Sequence, residues 1–291
     1  MDVSIKKFIP WWIKICAKIT LTRIPIKYSF WSKLKLFKHG QMDNIKYAFD
    51  IFNKHYIKNQ VSLKRDFSIC ELGPGDSAYT AFFAYLYGAR KTYLIDNGFF
   101  IDMDAKVPIS DIYEFAKNRK RDFLLLENLN TNNKNLLKEI NTEYLSGGLN
   151  EYSLIPDESI DFLFSNAVLE HVSLKEFEDT LKNVFRIMNR GSICSHTVDL
   201  RDHLQCGLNN LRFSKKVWES DLFAKSGFYT NRLRYSQMIE YFRKVGFEIV
   251  EVSTKKFPTL PISKNKLSRE FKNIQKKDLL IEVFDIVMIK P

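Results

Sequence analysis

A chain of 291 residues, 45% hydrophobic and 27% charged, is long enough to bury a full α/β core with room for one elaboration, and its composition excludes a disordered polymer. Its net charge of +11 is uneven: residues 1–38 hold nine Lys or Arg against Asp2, and the remainder balances 36 basic against 33 acidic residues, which argues against a nucleic-acid-binding body. Cys16, Cys70, Cys194 and Cys206 show neither a disulfide framework nor paired metal spacing, and no run reaches the roughly 18 apolar residues of a spanning helix.

Taken in order, the chain starts with a lysine-interrupted apolar stretch that lacks a small-residue cleavage site, so a cytoplasmic protein is expected rather than a secreted one. A helix is expected over Trp11 to Leu21, with Trp11 or Trp12, Ile15 and Ile19 as its apolar stripe and the lysines alongside. Tyr28, Phe30, Trp31, Leu34 and Phe37 form a second aromatic segment. Two readings of this region stand: packing on the catalytic domain or a second subunit, with solvated lysines, or contact with an anionic membrane at its inner face. Asp43 is placed to cap a helix over residues 44–58, and His39, Gln41, Met42 and Tyr47 are either lid residues or ordinary core and loop positions. Residues 1–60 are therefore read as a basic, aromatic extension and lid, and residues 61–291 as the main domain.

Phe67 to Leu72 reads as a buried strand that runs into Gly73-Pro74-Gly75-Asp76 and then a helix. Glycines at such a turn let backbone amides approach a ligand at the carboxyl edge of a parallel sheet. A helix to Tyr87 and a strand to Ile95 follow, ending at Asp96, about twenty residues on, the spacing of a ribose-binding acid. Asp76 directly after Gly75 would repel pyrophosphate, so the turn favours a nucleoside without phosphates. Residues 97–138 read as an insertion: Ile112 to Lys117 helical, Phe123 to Leu126 a short apolar run, Asn128 to Asn135 a polar loop, with Lys117, Arg119, Lys120 and Arg121 as a solvated helix end. Thr142 to Leu145 is the third expected strand.

The second informative block is Asp161-Phe-Leu-Phe-Ser165-Asn166-Ala-Val-Leu-Glu170-His171. It reads as a strand whose carboxyl end opens on the same crevice, followed by a helix over residues 174–188 and a turn at Asn189-Arg-Gly191. A fifth strand, Ile193 to Val198, delivers His196, Asp199, Arg201, Asp202 and His203 to the open edge. Residues 204–231, with Trp218, Phe223, Phe228 and Tyr229, read as a cap inserted over the mouth. A helix over 237–245, a strand over 247–252, a basic linker over 255–277 and a last strand over 280–289 complete the chain.

Glu71 to Gly75, Asp96 and Asn166-x-x-Leu-Glu-His171 resemble the seven-stranded class I S-adenosylmethionine-dependent methyltransferase family, over about residues 67–198. The resemblance implies an α/β, Rossmann-like, mostly parallel sheet with an antiparallel C-terminal hairpin, and S-adenosylmethionine as cofactor. It assigns Glu71 to the cofactor's amino end or the glycine turn, Gly73 and Gly75 to the turn, Asp96 to the ribose hydroxyls and Asn166 to the donor end. Where the family often has an acid beside adenine, this chain has Leu149 and Asn150. The implied activity is methyl transfer to a small polar metabolite or bacterial glycan, most simply to a hydroxyl. A secondary-metabolite O- or N-methyltransferase and a non-catalytic cofactor-binding subunit are the alternatives. His203 is the expected base, oriented by Asp199 or Asp202, with His171 second. Arg201, His196, Trp218 and Tyr229 are the expected acceptor-binding residues. No metal and no nucleic acid are expected, and a homodimer is.

Overall fold

The computed structural model describes residues 9–23, 41–59, 66–117 and 131–291. The expectations for Tyr28 to Phe37, for His39, for Arg119 to Arg121 and for the Phe123 to Leu126 run lie outside the described residues.

Seven strands form one sheet in the order β3-β2-β1-β4-β5-β7-β6. They are β1 Phe67–Leu72, β2 Ala89–Ile95, β3 Thr142–Leu145, β4 Ile160–Asn166, β5 Met188–Asp199, β6 Glu248–Lys256 and β7 Ile281–Ile289. The first five are mutually parallel, and β7 lies antiparallel between β5 and β6. The order reverses direction between β1 and β4, which opens a crevice at their carboxyl ends. Register keeps those ends level, with Leu72 opposite Ile95 on one side and Ser165 on the other, and Ser165 opposite His196.

Helices α2 Ile45–Tyr56, α3 Tyr79–Leu86, α4 Ile109–Lys117, α5 Asn133–Glu139, α6 Phe177–Ile187 and α7 Tyr235–Val245 flank the sheet, and α1 Trp11–Leu21 lies apart from it. Alternation along β1 sorts its side chains: Phe67 and Ile69 join the core under α2, α3 and α4, while Cys70 and Leu72 join the core under α6 and α7. On α2, Phe49, Phe52 and Tyr56 supply the buried side. Asn44, not Asp43, caps this helix by accepting the Tyr47 amide, because one step along the chain changes which side chain reaches back. The polar run at 128–135 conceals the start of α5, where Asn132 accepts the Asn135 amide as cap. Turn-forming asparagines serve equally well as helix starts.

A smaller core lies apart from the sheet. Ile15 of α1 packs with Leu204, Trp218, Phe223, Phe228 and Tyr229, and Trp11, Ile19 and Phe213 border them. The apolar stripe of α1 is thus the one through Trp11, while Trp12 faces outward. The expected solvated lysines behave otherwise: Lys14 Nζ donates to the Leu204 carbonyl at 2.6 Å and Lys18 Nζ to the Gly227 carbonyl at 2.9 Å. No helix among the described residues is long and apolar enough to cross a membrane.

Candidate active site

At one end of the crevice, each strand hands its last hydrogen bond to a neighbour's loop. Gly73 N donates to Ile95 O at 2.8 Å, Asp96 N to Leu145 O at 2.8 Å, and Gly148 N to Asp96 O at 2.9 Å. Gly73 and Gly75 both take left-handed conformations, φ 68° and 71°, which residues with a Cβ avoid. A Cβ at Gly73 would lie 2.4 Å from Val168 Cγ2, so the turn is also closed sterically. Val168 is brought there by Ala167, whose φ of 55° bends the chain as β4 ends. That strained alanine has no sequence signature.

Glu71, on the α3 side of β1, is buried and accepts the Thr80 hydroxyl. Burial raises its pKa to about 8, against the Thr80 bond and with help from the Asp96 charge. A carboxyl starved of water is held neutral until a cation arrives beside it, because a bound positive charge would favour the ionised form and draw its pKa back down. Asp96 is half-buried, and its Oδ1 accepts the Asn97 amide at 2.8 Å. Beyond it, Tyr144 pins the following loop, accepting from Phe100 N and donating to Gly98 O, both at 2.9 Å. Leu149 is half-buried and Asn150 exposed on a 3-10 turn, while Glu151 accepts the Gly147 amide at 2.5 Å. The buried Glu71, the glycine turn and the acid at the end of β2 fit a nucleoside that carries a sulfonium and an amino group.

The other end is assembled from three separate segments. His171 and His203 stack with ring centroids 4.7 Å apart and planes 23° from parallel. His171 Nδ1 lies 3.0 Å from the Tyr229 carbonyl; a carbonyl only accepts, so Nδ1 carries the proton and Nε2 of the neutral ring holds the lone pair. His203 keeps an exposed edge, yet the protein around its ring, then the nearby Lys18 and Arg201 charges, lower its pKa against the pull of Asp199. Asn231 stitches the third segment down: its amide donates to Glu170 O at 2.7 Å, and its Nδ2 to Leu169 O at 2.8 Å and Val172 O at 3.0 Å.

Several expected acceptor-side residues stand elsewhere. Asp202 is buried and gathers its own loop, accepting from Leu204 N, Gln205 N and Asn209 N at 2.9, 2.7 and 2.6 Å. Asp199 grips Arg201 with both oxygens, the shortest bond being 2.7 Å. Neither carboxylate makes a hydrogen bond to His203 among those described, so the expected orienting partner of that ring is replaced by the face of His171. His196 is fully buried on the α7 side, 2.8 Å from Ser165 Oγ and parallel to Phe242, and burial takes its pKa down to about 3. Alternation along β5 turned it into the core, away from the mouth. Trp218 is likewise fully buried, its Nε1 donating to Thr230 O at 2.7 Å, and Tyr229 donates its hydroxyl to Glu219 at 2.8 Å. Those two side chains build the cap's interior; it is the backbone of Tyr229 that reaches the histidines.

Sequence reasoning missed Glu170. It is buried beside His171, its Oε1 accepts the Asp199 amide at 3.2 Å, and burial with the Asp199 charge raises its pKa well above the carboxylate range. It also missed Arg234, buried and donating to Leu200 O at 2.8 Å and Ile281 O at 2.6 Å, which joins the end of β5 to β7. A charged residue before a helix carries no signal that it will be buried.

A methyltransferase-domain family model matches residues 123–195. A search of curated proteins finds no match. Among solved structures, a Methanosarcina mazei S-adenosylmethionine-dependent methyltransferase is 17% identical, with a TM-score of 0.47 over 81% of this chain and 97% of that one. A Haloferax volcanii methyltransferase solved with its Trm112 activator is 13% identical, with a TM-score of 0.45 over 85% and 93%. Haemonchus contortus phosphoethanolamine N-methyltransferase 2 is 13% identical, with a TM-score of 0.45 over 82% and 52%. The domain match over residues 123–195, the strand order and the antiparallel β5-β7-β6 edge agree with the expected Rossmann-like, seven-stranded methyltransferase fold, for which S-adenosylmethionine is the cofactor.

Proposed function

We propose that this chain methylates a hydroxyl of a small polar acceptor, a metabolite or glycan sugar, at the stacked pair His171 and His203. The observation that carries the reading is this pair, with one ring's tautomer set by the Tyr229 carbonyl. When bound, the cofactor supplies an already activated methyl group on its sulfonium, so the protein's task is alignment and removal of one proton. The Gly73–Gly75 turn, Glu71 and Asp96 hold the nucleoside and amino ends, Leu149 and Asn150 border the base, and Asn166 stands at the donor side. The acceptor O–H would give its proton to an imidazole nitrogen as its oxygen takes the methyl group, the broken carbon–sulfur bond leaving its pair on sulfur as a neutral thioether. His171 Nε2 is the better prepared atom, since its ring is already oriented. His203, its pKa lowered by the protein around its ring, lies against the face of His171, where a second positive charge would be repelled, so a proton on one ring disfavours a proton on the other. Arg201, fixed by Asp199, contributes a positive wall to which an acidic acceptor would be drawn.

The test is single-turnover methyl transfer with a panel of hydroxylated acceptors. His171→Ala and His203→Ala are each expected to slow the chemical step, the first by about 10²- to 10⁴-fold and the second by less, with cofactor affinity unchanged. Near-wild-type rates in both variants would remove the pair from the chemistry, and a methylated nitrogen or carbon in the product would end the O-methylation reading.

A further inference from the structure

The unit made of α1 and residues 204–231 has two dissimilar faces. Its inner face is the small aromatic core around Ile15, and the two α1 lysines run along the seam to the carbonyls of Leu204 and Gly227. With those lysines drawn inward, the outer side of α1 is left with Trp12, Ile13, Cys16, Ala17 and Thr20, all exposed and none charged. Trp12 is 55% and Ile13 39% exposed. The same unit exposes Val217 at 41% and Leu222 at 48%, and Arg23, just past α1, bonds the Leu222 carbonyl at 3.1 Å. Half of the large hydrophobic side chains that stand exposed among the described residues therefore sit on this one small unit, the others being Ile57, Phe99, Leu154 and Val250.

Charge narrows what can cover it. Residues 9–23 and 204–231 hold seven Lys or Arg against Glu219 and Asp221; with Lys14 and Lys18 on the seam and Lys225 paired with Asp221 at 2.9 Å, the exposed Lys215 and Lys216 give the outer side of the cap its positive charge. A second copy presenting the same basic face would be repelled. A soluble polyanion would satisfy the lysines and leave Trp12, Ile13, Val217 and Leu222 in water. An anionic bilayer surface answers both, because aromatic and aliphatic side chains enter the headgroup boundary while flanking cations meet lipid phosphates.

We infer that the outer face of the α1–cap unit docks on an anionic membrane surface, with α1 lying in the plane of the headgroups. Outside α1 and its flanks the first 38 residues add six more lysines against Asp2, the same sign of charge as the α1–cap unit. The seam bonds at Leu204, directly after His203, and at Gly227, two residues before Tyr229, put the docking helix on the segments that carry the acceptor end. The inference does not depend on the chemistry proposed above.

The test is co-sedimentation of the full chain with vesicles of phosphatidylcholine alone and of phosphatidylcholine mixed with phosphatidylglycerol, with no methyl acceptor present. Binding is expected to the mixed vesicles only. Replacing two exposed cap lysines, Lys215→Gln with Lys216→Gln, should lower partitioning roughly 30-fold, and Trp12→Glu roughly tenfold or more. These side chains are exposed, so circular dichroism and melting temperature should not move. Equal binding to both vesicle types, no binding to either, or a Trp12→Glu variant that binds as the wild type would overturn the inference. So would sedimentation equilibrium in which Trp12→Glu splits a dimer while vesicle binding stays intact, since a second copy would then own this face.

Discussion

The two ends of the crevice are built by different means. The cofactor end is made of strand tips and the turns that follow them, each within a few residues of its strand: Glu71 and Gly73 on β1, Asp96 on β2, Ala167 on β4. The acceptor end gathers His171, His203 and the Tyr229 backbone from three loops, and α1 then clamps two of those loops from a distance of some two hundred residues in sequence, as the Lys14–Leu204 and Lys18–Gly227 separations of 190 and 209 record. An end built on adjacent strand tips inherits the rigidity of the sheet. An end built on loops is held by individual polar contacts, and can be altered without disturbing the sheet.

The strongest way to break the cofactor end is Gly73→Ala. It demands a left-handed alanine and a Cβ driven into Val168, together about 3 kcal/mol or more, and cofactor binding by calorimetry should be lost. Val168→Ala on that background relieves only the clash, so partial recovery is expected; full recovery would show that the conformation itself does not matter.

A crossed pair separates the two ends. Asp202→Ala strips a buried loop of its acceptor, and should lower stability by about 2–3 kcal/mol while cofactor affinity stays within about twofold. Asp96→Ala should do the reverse, with an unchanged melting temperature and cofactor binding weaker by roughly 1.5–3 kcal/mol, or about 10- to 150-fold. If both variants lost both properties, the ends would be one cooperative unit.

The sheet between the two ends should answer to pH. His196 and His55 are buried neutral, His55 with Nδ1 2.8 Å from Ser195 Oγ, and burial depresses both to about 3 from 6.5. Their stabilisation is complete above pH 6.5 and declines as pH falls towards 3, by up to about 1.4 kcal/mol per pH unit for each. Glu71 has the opposite sign: raised to about 8 from 4.5, it contributes fully below pH 4.5 and loses its contribution as pH rises through 8. Melting curves should therefore show an acid limb below pH 6.5 that persists in Glu71→Gln and a decline between about pH 4.5 and 8 that this variant flattens. A decline over that window unchanged in Glu71→Gln would mean that the carboxyl is ionised in the fold.

The geometry of the proposed cofactor end was legible for a physical reason. A buried strand, a glycine turn and a helix are consecutive, so Phe67 to Ser77 shows strand, turn and helix in one reading, and Asp96 follows at a set spacing. The strands of β4 and β5 were legible in the same way, as apolar runs. Their side chains were less so: His196 and Asp199 belong to one expected ionisable cluster in the sequence, yet one points into the α7 core and the other to the mouth. Alternation predicts that neighbours on a strand diverge, but not which side becomes the mouth.

By itself, then, the sequence determined the order of the strands, the glycine turn and the carboxylate at the end of β2, because periodicity and turn chemistry are local properties. Only the tertiary structure decided that the α1 lysines turn inward, that Asp202 serves its loop, that His171 and His203 stack, and that Glu170 and Arg234 are buried. These outcomes depend on which distant backbone carbonyls and charges arrive beside a side chain, and a long flexible cation or an imidazole can be satisfied equally well by water, by a carbonyl or by another ring until packing removes the choice.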